Sequence, residues 1–207
     1  LQVKQGSKWV DLKDYKSPSV GGEKAMPPSG EADVTGTAKL LIKEAQRQKS
    51  SYVSSMQKTA KKIGGRYADE FSQFTVKNLD RTIAKMQAYP GRPMTDILRG
   101  TIVVKNPTKM LPDVLSSMAE DGWKVFNNDV TNRFLDSSKG YKDISIKFTK
   151  GGKDPLVKEL QLLQKNMLAA KNRLHPDYQR TQEIKRIKKP SSALESEYQS
   201  LMNKMEK

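Results

Sequence analysis

The chain has no cysteine, a single histidine, and no apolar run approaching the ~20 residues a membrane helix needs. Without cysteine, disulfides and thiolate metal sites are excluded, and the sequence suits either redox compartment. With His175 alone, any zinc site requiring two or more histidines is excluded as well. Acidic residues are in short supply: 23 against 38 Lys and Arg, a formal net charge of +15. A field of that sign draws polyanions, so nucleic acid, nucleotides or an acidic protein are the expected partners, and no membrane is. Apolar residues make up 35% of the chain and mean hydropathy is −0.74. Those values predict exposed segments around a core that a chain of 207 residues can still bury.

The chain opens on Leu1, and "LQVKQGSKWV" lacks the apolar centre of a signal peptide, which fits a module cut from a longer polypeptide. Residues 1–34, with "KSPSVGG" and "AMPPSGE", read as a linker or extended arm. From Thr37 the pattern turns helical, with Leu40, Leu41, Ala45, Tyr52 and Met56 near one face and a stop at Gly64–Gly65. A second helix is expected from about Val76 to Gln87, carrying Lys77, Arg81 and Lys85 at steps of four on one face. "ILRGTIVV", "KVFNNDV" and "YKDISIKFT" read as strands, and a short helix ending at Gly122 separates the first two. "LVKELQLL" is strand, helix, or one running into the other. The remainder is helical and polar, interrupted at Pro176 and Pro190. The order of elements predicts an α+β fold, a mixed sheet covered by helices. The body of that fold spans 35–189, and 190–207 forms a C-terminal helical tail.

In "MTDILRGTIVV", Asp96 stands directly ahead of a strand destined for the interior. A carboxylate there is unfavourable unless something positive meets it. Arg99 is one candidate, as an ion pair; a bound Mg²⁺ is the other, commonly held by one or two carboxylates together with phosphate oxygens. Glu159, set in the apolar run "KELQLLQKNM", is the best second carboxylate.

Here the residues reach a resemblance. "VKNLDRTIAKM", "DILRGTIVV", "GYKDISI" and "ELQLLQKNM" occur in the order and approximate spacing of the synthetase domain of the RelA/SpoT family, and "AAKNRLHPDYQ" resembles the helix that follows in small and toxin-type members. The similarity runs from Lys77 to Tyr178, about half the chain. It implies a nucleotidyltransferase-like fold. It also implies transfer of pyrophosphate from ATP to the 3′ hydroxyl of an adenine or guanine nucleotide, or of a tRNA end. In the implied roles, Asp96 and Glu159 hold Mg²⁺, and Glu159 alternatively helps deprotonate the attacking hydroxyl. Lys77, Arg81, Lys85 and Arg99 grip the ATP phosphates. Tyr141 stacks on the acceptor base and Gln161 orients the acceptor. Taken without the resemblance, the basic residues read as a solvated helix face, Tyr141 as a sheet-edge residue and Gln161 as an alternating polar position.

Members making alarmone nucleotides usually have "GYxSxH" where this chain has "GYKDIS", so Asp143 and Ser145 replace the small polar residue and the histidine. No stretch carries the metal-binding histidines of a hydrolase domain, so synthesis would be unopposed within the chain. The implied setting is a toxin acting in the bacterial cytoplasm, delivered as the C-terminal part of a larger effector and met by an acidic immunity protein or antitoxin. The segment Lys171–Lys189, net +5, suits a tRNA track or such a partner. The reading from another class keeps the fold without the chemistry: a basic RNA- or protein-binding module.

Overall fold

The computed structural model describes residues 2–5, 8–11, 34–70, 75–135, 142–150, 156–185, 187 and 189–206. Two short strands, β1 (Gln2–Gln5) and β2 (Lys8–Asp11), pair antiparallel within the expected arm. The Pro/Gly-rich stretches of that arm lie outside the described residues.

Helix α1 runs from Val34 to Lys62 and buries a stripe of Ala38, Ala45, Tyr52, Met56 and Ala60. These positions recur every four or seven residues, which places them along one face. Leu40, expected in that stripe, falls off it and is 68% exposed. The helix ends where Gly64 turns to φ +65° and the Gly65 N–H donates to the Ala60 carbonyl at 2.8 Å. Only glycine enters that backbone region without cost. Strand β3 (Arg66–Tyr67) follows, then α2 (Leu79–Ala88), β4 (Leu98–Val103) and α3 (Pro107–Glu120). Next come β5 (Lys124–Asn132), a 3-10 turn at Arg133–Leu135, β6 (Ile144–Thr149) and β7 (Lys158–Leu163). Helices α4 (Lys165–Lys185) and α5 (Ser192–Glu206) complete the chain.

The fold is α+β. Five strands form one mixed sheet in the order β3-β4-β7-β6-β5; β4 and β7 are parallel and the other pairs antiparallel. "LVKELQLL" thus resolves as a strand at the centre of the sheet. Side chains alternate across a strand, and here the alternation separates core from site. Leu98 and Ile102 of β4, Leu160 and Leu162 of β7, and Ile144 and Ile146 of β6 join Tyr52 and Met56 of α1 and Leu111 and Met118 of α3 in the main core. The other face carries Arg99 and Thr101, Glu159 and Gln161, Ser145 and Lys147. Toward its end, Leu163 packs with Leu168 of α4 and Ala68 in a second, small cluster.

Two expectations are corrected. Pro176 does not interrupt α4, which continues to Lys185. A proline removes one backbone hydrogen bond, but Leu168 before it and Thr181 and Ile184 beyond it are buried and hold both halves in place. Lys77 is not on α2. Asn78 accepts a hydrogen bond from the Arg81 N–H at 2.9 Å and so caps the helix after Lys77.

Candidate active site

Lys77 belongs to a short extended segment laid against the entry of β4. The Lys77 N–H donates to the Ile97 carbonyl at 2.8 Å, and the Arg99 N–H donates to the Thr75 carbonyl at 2.7 Å. That pairing sets the Lys77 side chain beside Asp96, with Nζ 2.6 Å from Oδ2. Lys85, two turns into α2, brings its Nζ to 2.9 Å from Asp96 Oδ1. Asp96 is therefore met by two lysines, Lys77 and Lys85. Burial alone would push the Asp96 pKa up; the two ammonium groups overcome it and hold the carboxyl well below the usual range. Lys77 pays for its burial in the opposite direction and is lowered to about 8, the Asp96 charge offsetting part of the shift.

Glu159 lies on the central strand, opposite Arg99 of β4 on one side and Lys147 of β6 on the other. Its Oε1 accepts from Lys147 Nζ at 2.6 Å and from Ser145 Oγ at 2.8 Å. Burial raises its pKa, the Lys147 ammonium lowers it further than that, and the Asp96 charge pushes back up. The Asp96 charge, just ahead of β4, is thus felt at Glu159 on the adjacent β7. One step along β7, Gln161 receives a hydrogen bond from Lys171 of α4 at 2.5 Å and donates to Asp143 Oδ2 at 3.3 Å. Asp143 has no exposed surface and is paired with Arg133. Its pKa is raised by burial against the pull of that arginine.

Above Asp96, a cavity of about 470 Å³ opens between α2, the entry of β4 and α4. Lys77, Arg81, Lys85, Arg99 and Asp96 line it, with Lys185 from α4. Five cations around one carboxylate suit a polyphosphate rather than a neutral ligand. Of the residues singled out in the sequence, Lys77, Arg81, Lys85, Arg99 and Asp96 are brought together. Glu159 and Gln161 share a sheet face with Arg99, deeper along β7. Tyr141 lies outside the described residues.

Sequence reasoning missed the α4 wall. Tyr178, Gln182 and Lys185 line the cavity, and their i, i+4, i+7 spacing would have placed them on one helical face. It also missed Lys147 and the aromatic Tyr89 that ends α2, and it placed Lys171 in a basic track without its contact to Gln161.

Asp96 and Glu159 offer hard oxygen donors, the chemistry Mg²⁺ accepts. Among the described residues, no cluster of three or more His, Cys, Asp or Glu side chains suits a metal ion. By donor chemistry, Asp96 and Glu159 are the residues that would hold a Mg²⁺ completing its shell with water and phosphate oxygens, and both Asp96 oxygens are already met by lysine ammonium groups.

The chain matches no protein-family model. A search of curated proteins likewise finds no match.

Proposed function

We propose that this chain is a toxin-type pyrophosphokinase of RelA/SpoT-like fold, transferring pyrophosphate from ATP to the 3′ hydroxyl of a purine nucleotide or a tRNA end. The observation that carries the reading is the cavity itself: Lys77, Arg81, Lys85, Arg99 and Lys185 surround Asp96, and Glu159 stands on the neighbouring strand.

In this reaction the acceptor oxygen attacks the β-phosphorus of ATP. A new O–P bond forms, the bond from that phosphorus to the oxygen bridging the α-phosphate breaks, and AMP leaves. The basic side chains hold the triphosphate and offset charge developing on its oxygens. Asp96 and Glu159 would hold Mg²⁺, which supplies further neutralisation at the phosphates when bound. Lys147 and Ser145 fix the Glu159 carboxylate, which orients the acceptor hydroxyl and takes its proton on the way to solvent. A net charge of +15 favours a tRNA acceptor, because a basic track strengthens binding with each phosphate it meets. The same charge favours an acidic immunity protein or antitoxin as the neutralising partner.

One observation favours a binding module without catalysis. Both Asp96 oxygens already lie within 3 Å of an ammonium group, so the carboxylate is neutralised before any cation arrives.

Incubation with γ-³²P-ATP and Mg²⁺ separates the two. Parallel reactions contain GDP and GTP, ADP and ATP, or bulk tRNA, with Asp96→Asn and Glu159→Gln as controls. Label transferred to an acceptor and lost in both controls establishes the reaction and names the acceptor. RNA binding that falls steeply with salt and ignores ATP and Mg²⁺, without transfer, establishes the binding module.

A further inference from the structure

The sequence offered Tyr141 for base stacking, and the cavity offers two other aromatics. Tyr89 and Tyr178 are each 49% exposed, and among the described residues they are the two aromatics that appear as exposed large side chains. Both line the same basic cavity. Flat rings left half in water beside a cluster of cations match the two parts of a nucleotide, a base with a π-face and a chain of phosphates.

We propose that Tyr89 and Tyr178 take the base of the nucleotide whose phosphates rest on Lys77, Arg81 and Lys85, and so determine selection of a nucleotide over bare polyphosphate. This rests on the nucleotide reading of the cavity given above. The rings come from different elements, and each is anchored. Tyr89 ends α2, its N–H donating to the Lys85 carbonyl at 3.0 Å, and the Arg92 guanidinium lies 5.5 Å from its ring centre. Tyr178 stands on α4, where its carbonyl accepts from the hydroxyl of the buried Thr181 at 2.8 Å. With both backbones held in this way, binding has only the side-chain torsions of the two rings left to order. Stacking does not read base edges, whereas the amide of Gln182 can both donate and accept. The site therefore distinguishes purines weakly.

Calorimetric titration of the full chain with Mg-ATP, Mg-GTP and inorganic tripolyphosphate tests this, using Tyr89→Ala, Tyr178→Ala and Tyr178→Phe. Each alanine variant should weaken both nucleotides roughly ten-fold while leaving tripolyphosphate unchanged, and the phenylalanine variant should bind like the parent. A parent chain that binds tripolyphosphate as tightly as ATP overturns the proposal. So does equal loss of ATP and tripolyphosphate in the alanine variants, which would mean that the rings only support the lysines, and so does no loss of either. A parent chain that binds none of the three ligands removes the nucleotide reading of the cavity along with it.

Discussion

Lys77 and Asp96 lie nineteen positions apart in the chain and meet at 2.6 Å, with the lysine side chain only 6% exposed. The pair is at once a structural contact and half of the proposed phosphate site, so substitutions there act on folding as well as on chemistry.

Asp96→Ala leaves the buried Lys77 ammonium without its carboxylate. Breaking one side of a buried pair costs about 3 kcal/mol, and urea denaturation should show a loss of that order. Asp96→Asn keeps the shape and part of the hydrogen bonding and should cost less. The double variant Lys77→Met, Asp96→Leu should regain most of the lost stability while remaining unable to transfer pyrophosphate. A double variant as unstable as Asp96→Ala would refute the buried-charge account.

Glu159→Gln removes the charge but preserves the side-chain volume between Ser145 and Lys147. Under the proposed mechanism, single-turnover transfer should fall by about 100-fold or more, with ATP affinity changed far less. Transfer at the parental rate would strip Glu159 of its assigned role.

Gly100 sits on the core face of β4, where a Cβ would stand 1.9 Å from the Met56 sulfur and 2.3 Å from its methyl carbon. Overpacking of this kind costs about 1–3 kcal/mol. Gly100→Ala should lower the denaturation midpoint accordingly. Adding Met56→Ala should cost less than the sum of the two changes, since each relieves the other.

Lys171 is lowered to about 8 by burial and by the nearby Arg99, with Glu159 and Asp143 acting in the opposite sense. Between that value and the ordinary lysine pKa, the unfolded chain binds more protons than the folded one. The lysine's contribution to stability therefore rises with pH across that window. Relative to Lys171→Met, the parent chain should gain stability on the order of 2 kcal/mol between pH 8 and pH 10.5, measured by urea denaturation. A difference that is flat or falls with pH would contradict the assigned environment.

The sheet was legible wherever β-branched or alternating residues made the pattern, as in "ILRGTIVV" and "ISIKFT". Strand β3 was not, because two residues are too short to carry a period. The basic residues were legible as a cluster, but their layout was not. Steps of four suggested one helix, whereas the Asn78 cap sets Lys77 on the extended segment before it. Asp96 was recognised as needing a cation, yet its partners come from that segment and from α2, a pairing made only by tertiary folding. The α4 wall was obscured by Pro176, which local propensity treats as a break and packing overrides.

Strand β7 gives alternate residues to two different tasks. Leu160 and Leu162 fill the core, while Glu159 and Gln161 face the site. Sliding this strand by a single residue would thrust both polar side chains among Tyr52, Met56 and Ile146 and present leucines to Lys147 and Lys171. Hydrophobic packing thereby proofreads the chemistry: a misaligned chain fails to fold, and does not persist as a stable protein with its carboxylate in the wrong place.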